Sequence, residues 1–302
     1  MRVLLCHRLN LGDLVCASPG IQWAKRKWPE MQFRLFTNDF AARIGPLLPE
    51  VEQVYAYRKF GGAGIPEWSA ILAARRWRPQ RLIGLSPDAD WRLSVRLLLL
   101  GAHTWHSLSS PRVHVAERLA SQFGWDGSEP LPSATLRMPD REGRQRDVAI
   151  WISARKPSNR PSGRQVVELV KTLRARRPGL SIGIFGLPRQ TGSSAHQADE
   201  DTQRALGAEL ADLGLRLETP PLDELFLAEL ASSRSVITPD GGISHVAAGF
   251  GRPVVTLFGN VPVEAWRPYM PRARALQAPS RRVADIAVRD IVAAWEECRS
   301  AT

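Results

Sequence analysis

Two stretches of this sequence hold residues whose types and spacing suit chemistry. The first is Thr238-Pro239-Asp240-Gly241-Gly242-Ile243-Ser244-His245-Val246-Ala247-Ala248-Gly249. Apolar residues before it read as a strand and small residues after it read as a helix, so the paired glycines fall at a strand-to-helix turn. Glycines there let the backbone approach a ligand closely, and the N–H groups that open the helix present positive charge to an anion. A diphosphate could be held in this way. A tight turn in any α/β protein would read alike, and these residues leave both readings open. The second stretch is Leu11-Gly12-Asp13, which follows the apolar run Val3-Leu4-Leu5-Cys6. A carboxylate at the end of a strand is suited to take a proton from a hydroxyl as a new bond forms. Position alone favours the plainer role of Asp13 as the N-cap of the next helix.

The elements that must carry these residues alternate short apolar runs with amphipathic stretches, which predicts βαβ units. Strands are expected at Val3–Cys6, Phe33–Phe36, Val51–Tyr55 and Leu82–Leu85. Ser18-Pro19 predicts the opening of a helix that stops near Trp28-Pro29, with Asn10 to Asp13 as a loop before it. Further helices are expected at Trp91–Leu100 and Val113–Phe123. Between Gly124 and Arg146 the residues Pro130, Pro132, Pro139 and Gly143 mark a linker. The pattern then restarts, with strands at Val148–Trp151, Ile182–Phe185, Ser235–Thr238 and Val254–Leu257. Helices are expected at Gln165–Arg176, about Ala195–Leu213, Leu222–Ser232 and about Val283–Cys298. The predicted organisation is two doubly wound, Rossmann-like domains, 1–135 and 147–302, whose strand ends face a central cleft.

Bulk composition sets outer bounds. The chain has 302 residues, enough for two cores, with 44% hydrophobic and 24% charged residues. No apolar run reaches membrane-spanning length, and the first residues lack a signal-peptide pattern, so a cytoplasmic location is expected. Cys6, Cys16 and Cys298 have neither metal-ligand nor disulfide spacing and read as small packed residues. The net charge of +11 asks for an anionic partner. The arginines are dispersed and no nucleic-acid motif accompanies them, so no nucleic acid is expected. Peripheral contact with the anionic inner face of a membrane is the functional reading, against a generally basic surface. Gly61-Gly62-Ala63-Gly64 lacks the Lys and Ser/Thr of a phosphate loop.

The whole chain resembles the heptosyltransferases, carbohydrate-active family nine, in motifs that fall in the right order. Val3-Leu4-Leu5, Asn10-Leu11-Gly12-Asp13 and Pro19-Gly20-Ile21 are similar to the family's opening, and Phe36-Thr37-Asn38 with Leu48-Pro49-Glu50-Val51 to its next strand and turn. Asp240-Gly241-Gly242-Ile243-Ser244-His245-Val246-Ala247-Ala248 resembles the donor motif Asp-Thr-Gly-x-x-His-x-Ala-Ala. Phe258-Gly259 with Trp266-Arg267-Pro268-Tyr269 resembles the loop after the following strand. The resemblance implies a GT-B fold and inverting transfer from a nucleotide-diphosphate sugar, usually ADP-heptose. The implied acceptor is a saccharide or glycolipid such as the lipopolysaccharide core, and no cofactor is implied.

Carried over by motif, Asp13 is the general base, and Asp240, Gly241, Gly242, Ser244 and His245 hold the donor, with Gly259 and Trp266 beside them. Arg160, with Lys156 in reserve, sits where the family carries a cation that neutralises the leaving diphosphate. Acceptor contacts fall to Asn10, Asp88 and Asp90. Gly241 stands where Ser or Thr is usual, Asn260-Val261 replace Pro-Thr, and Arg160 replaces lysine. These departures make a donor other than ADP-heptose easier to accommodate. Three rivals remain at this level: a metal-dependent transferase using Asp88-Ala89-Asp90, a sugar-nucleotide epimerase or hydrolase, and a non-catalytic nucleotide-sugar or lipid binder.

Overall fold

The computed structural model describes residues 1–60, 65–66, 68–86, 91–101, 113–154, 156–186, 204, 206–221 and 223–300. The chain divides into two compact units, Met1–Arg137 and Met138–Thr302.

The amino-terminal unit runs β1 (Arg2–Cys6), α1 (Leu11–Lys27), β2 (Gln32–Asn38) and β3 (Val51–Tyr57), then a small hairpin, β4 (Lys59–Phe60) with β5 (Ile65–Pro66). It continues α2 (Trp68–Arg76), β6 (Arg81–Gly84), α3 (Trp91–Leu99) and α4 (Val115–Ser121). Its main sheet is parallel, in the order β3-β2-β1-β6. Helices cover parallel sheets on both faces, which is why β1 is apolar from Val3 to Cys6. Leu4, Cys6 and Phe36 pack with Ile71, Leu93 and Leu97 from α2 and α3. On α1 the cost of a side chain at Gly20 is set by α4, because a Cβ there would meet Ala120 Cα at 2.7 Å. The segment Trp68–Arg76 is helical although no element was expected there. Ala70, Ile71 and Ala74 form its short buried stripe.

The start of α1 corrects the expectation drawn from Ser18-Pro19. The helix begins at Leu11, eight residues before Pro19, and carries that proline in its interior. Proline has no N–H to give the carbonyl one turn back, so such a helix loses a bond. Here that carbonyl belongs to Val15, and the buried Ser18 hydroxyl donates to it at 2.8 Å. Ser18 therefore repairs the helix that its pairing with proline seemed to start.

The expected linker has no regular structure from Trp125 to Arg137, yet it is tied down on the amino-terminal unit. Gln22 Nε2 donates to the Ser133 carbonyl at 3.1 Å, Trp23 Nε1 to Glu129 Oε1 at 2.7 Å, and the Arg137 N–H to the Leu47 carbonyl at 2.7 Å.

The carboxyl-terminal unit runs β7 (Val148–Trp151), α5 (Gly163–Arg176), β8 (Ile182–Phe185), a helix α6 (206–211), β9 (Leu217–Glu218) and α7 (Glu224–Ser232). Then come β10 (Val236–Pro239), α8 (Gly242–Gly249), β11 (Val254–Phe258), α9 (Val263–Trp266), β12 (Ala273–Gln277) and α10 (Val288–Ser300). All six strands are parallel, ordered β12-β11-β10-β7-β8-β9. Read in chain order this is the 3-2-1-4-5-6 arrangement of the dinucleotide-binding fold, with the reversal between β7 and β10. Ile150, Ile184, Ile237 and Val255 meet Leu169 and Leu173 of α5 and Trp295 of α10 in one core. Trp295 Nε1 donates to Ser235 Oγ at 2.9 Å, which satisfies the indole that α10 buries.

Among the described residues of this unit, Arg146 is a charged side chain held inside. Arg146, 3% exposed, donates to Glu218 Oε1 at 2.7 Å and to Glu229 Oε2, and its guanidinium lies 4.8 Å from the Phe185 ring. Gly183 leaves room for it, since a Cβ there would strike the Arg146 side chain. Among the described residues no helix is long and apolar enough to cross a membrane.

Candidate functional site

In open parallel sheets, ligands bind outside the carboxyl ends of the strands where the strand order reverses. In the carboxyl-terminal unit that point is bordered by the segments leaving β7, β10 and β11. The chain leaves β10 at Pro239 and passes through Asp240, whose N–H donates to the Leu257 carbonyl at 2.9 Å. Gly241 is the N-cap residue of α8, at φ 156° and ψ −174°. That conformation belongs to glycine, although a Cβ there would meet nothing within 4 Å. The backbone angle is therefore the constraint at Gly241, and crowding is not. The turn is fastened by Ser244, whose hydroxyl donates to the Gly241 carbonyl at 2.8 Å. Ser244 and His245 are buried, while Gly241 is exposed and Asp240 and Gly242 are half-buried. Among the amides opening α8, that of Ser244 donates to the Gly241 carbonyl at 3.2 Å, and a helix end of this kind suits an anion.

The segment leaving β7 lies beside it. Residues Pro157–Asn159 form a single turn of 3-10 helix with Lys156 before and Arg160 after. Lys156 is exposed, and half-buried Arg160 donates from Nε to the Ala154 carbonyl at 2.7 Å, which holds it close to the strand end. Gly259, just past β11, abuts this turn. A Cβ on it would lie 2.8 Å from the Ser158 carbonyl oxygen and strike Asn159 Oδ1. Glycine there lets two loops touch through backbone. Trp266 closes the one-turn helix α9 and is half-buried. The residues expected around a donor thus occur on neighbouring strand ends: Asp240, Gly241, Gly242, Ser244 and His245 after β10, Lys156 and Arg160 after β7, and Gly259 after β11.

In the amino-terminal unit the order β3-β2-β1-β6 reverses between β1 and β6. Asp13 lies in the first turn of α1, just past β1, and is half-buried. Its Oδ2 accepts the backbone N–H of exposed Asn10, the N-cap residue, at 3.0 Å. The structure therefore corrects the N-cap role weighed for Asp13: Asn10 is the N-cap, and Asp13, at N3, supplies the returning half of a capping box. His7, between β1 and this turn, is fully buried and shares a hydrogen bond through Nδ1 with Thr37 Oγ1 at 3.1 Å. Burial, helped by nearby Arg8, pushes its pKa down to about 3, so the ring is neutral. Asp88 and Asp90 lie outside the described residues. Among the described residues no three His, Cys, Asp or Glu side chains gather as a metal-holding group.

Sequence reasoning missed three contributors. Gln277 acts on loop backbone, Arg281 acts on Gln277, and Asn159 sets its side-chain oxygen where a Cβ on Gly259 would fall. They depend on Ala273–Gln277, a half-buried strand whose mixed residues give no alternating signal.

Comparison with known proteins agrees in fold and in part of the sequence. Residues 193–293 match the model of glycosyltransferase family 9 (heptosyltransferase). No curated protein matches. Among solved structures, the chain is similar to E. coli ADP-heptose lps heptosyltransferase II, with a TM-score of 0.76 and 17% identity over 99% of this chain and 98% of that one. It is also similar to a family 9 glycosyl transferase from Veillonella parvula (TM-score 0.75, 15% identity, 99% of this chain and 97% of that one). The E. coli heptosyltransferase WaaC with ADP superposes with a TM-score of 0.72 and 17% identity, covering 99% of this chain and 100% of that one. Each of the two parallel-sheet units thus shares its fold with those solved structures.

Proposed function

From the family 9 heptosyltransferase pattern that residues 193–293 carry, we propose that this glycosyltransferase moves heptose from ADP-heptose to a saccharide of the lipopolysaccharide core. The observation that carries the reading is the Asp240-Gly241-Gly242 turn. It sits at the strand-order reversal, opens α8 toward an anion, and has the Lys156–Arg160 loop leaving the adjacent strand.

The reaction is a single displacement with inversion. An acceptor hydroxyl oxygen bonds to the anomeric carbon as the bond from that carbon to the diphosphate oxygen breaks. Asp13 takes the hydroxyl proton, and ADP leaves with the bonding electron pair. Charge growing on the diphosphate is met by the α8 amides and by Arg160 or Lys156, which supply what a metal ion supplies elsewhere. Asn10, Asp88 and Asp90 are assigned to the acceptor. The excess positive charge of the chain suits work beside an anionic membrane face.

A calorimetric screen of ADP, UDP, GDP and CDP tests the reading. Preference for ADP is the expected result, preference for another nucleotide redirects the donor, and binding of none of the four overturns it.

A further inference from the structure

The last strand of the carboxyl-terminal sheet ends in a side chain that the reading above leaves unused. Gln277 closes β12, next to β11 in the sheet. Its Nε2 donates twice, to the Gly259 carbonyl at 2.6 Å and to the Val261 carbonyl at 2.9 Å. Its Oε1 accepts from Arg281 Nη1. The guanidinium has donors only, so this contact fixes which end of the amide is oxygen and aims the NH₂ group at the loop. Both amide protons are spent on one short stretch of backbone, on either side of exposed Asn260.

Arg281 is itself held in an unusual state. Its φ is 58°, in the left-handed region where a non-glycine residue is uncommon, and its N–H donates to the Ala278 carbonyl at 2.9 Å. Such a conformation persists where surrounding contacts over-determine it, and it is found disproportionately at working sites. Around it, Ser280 Oγ donates to Asp285 Oδ2 at 2.7 Å. The turn Val283–Asp285 that follows is pinned by a second amide, since Gln165 Nε2 donates to the Val283 carbonyl at 2.9 Å and the Ile286 carbonyl at 2.7 Å.

The clamp acts through Gly259. Its carbonyl is taken by Gln277, and its missing side chain is what lets it lie against Ser158 and Asn159, between Lys156 and Arg160. A loop free to move at Gly259 would release the face against which the Pro157–Asn159 turn rests. A chain of contacts therefore runs Arg281, Gln277, Gly259, Asn159, from an exposed strained residue to the cation-bearing loop.

We propose that Gln277, oriented by Arg281, is a positioning residue of the donor site: it fixes the Gly259–Val261 loop so that this loop and the Lys156–Arg160 loop meet a nucleoside diphosphate in one geometry. The inference rests on the donor-site reading above. It assigns Gln277 no contact with substrate.

The test replaces Gln277 with methionine, which keeps length and loses both donors, and with glutamate, which keeps the Arg281 contact but sets a carboxylate against two carbonyls. Displacement of a positioning group by about an ångström is felt on the order of ten- to hundredfold. Q277M and Q277E should raise the Kd for ADP and the donor KM about tenfold or more, with acceptor KM unchanged. Hydrogen exchange of the Asn260 and Val261 amides should quicken in both. Arg281→Ala should move the same quantities in the same direction by less, and it serves if a Gln277 variant does not fold. Variants that lower only the melting temperature, with Kd and KM as in the wild type, overturn the inference. A wild-type protein that binds no ADP overturns the donor-site reading instead, and amide exchange then still reports whether the clamp exists.

Discussion

Asp13 Oδ2 accepts the Asn10 backbone N–H at 3.0 Å, so the carboxylate proposed as the base also closes the first turn of α1. Two substitutions separate these roles. An asparagine in its place would still offer a carbonyl oxygen to that N–H, and an alanine would not. Asp13→Asn should keep stability within about 0.5 kcal/mol of the wild type, whereas Asp13→Ala should lose about 1 kcal/mol by urea denaturation. Both should cut turnover about 10²- to 10⁴-fold with ADP binding intact. Wild-type turnover in Asp13→Asn would remove the base assignment.

Gly241 lies where strain and crowding are distinguishable. Alanine would find open space, yet it would have to adopt a φ of 156° at a ψ of −174°. Gly241→Ala should therefore cost about 1–3 kcal/mol in unliganded protein, read from denaturant midpoints. An unchanged midpoint would mean that the turn relaxes freely and does not hold its shape for a ligand.

Ser18 and Pro19 should show coupling of a definite sign. Ser18→Ala leaves the Val15 carbonyl buried without its donor at 2.8 Å, which should cost about 1–3 kcal/mol. Adding Pro19→Ala returns a backbone N–H to that carbonyl. The double variant should be more stable than Ser18→Ala alone, and an additive cycle would contradict the repair described for α1.

His7 gives the chain an acid-sensitive element. Its folded pKa of about 3 lies below the unfolded value of 6.5, so the unfolded chain binds the extra proton between them. Stability from this residue is complete above pH 6.5 and falls by about 1.4 kcal/mol per unit as the pH drops toward 3. His7→Gln lacks this slope. The stability difference between the two proteins at pH 7, 6 and 5 should shift steadily in favour of the variant, and parallel curves would show that His7 is not buried neutral.

What the sequence disclosed was local. Val148–Trp151 and Ile182–Phe185 are unbroken apolar runs because parallel strands are covered on both faces, and they lie where expected. The glycine turn at Asp240 and the carboxylate at Asp13 are also signalled within a few residues. The start of α1 misled because Pro19 is a strong opening signal unless a neighbouring hydroxyl replaces the lost bond, which depends on side-chain geometry. Strand β12 escaped because Arg274 and Gln277 interrupt its apolar character. Gln277 and Asn159 were illegible for a related reason. Each meets a residue brought near by strand order, and no spacing in the chain announces a bond between residues 277 and 259.

The buried guanidinium of Arg146 also bears on how the carboxyl-terminal unit comes into being. Its two carboxylates, Glu218 and Glu229, are synthesised 72 and 83 residues after it. Until both have emerged, closing β7 onto β8 would seal a lone cation in an apolar interior, which water prevents by keeping the segment open. The unit's first strands must therefore wait on its later half. A nascent chain stalled before residue 218 should remain protease-sensitive at β7 and β8, and one carried past residue 229 should become resistant there.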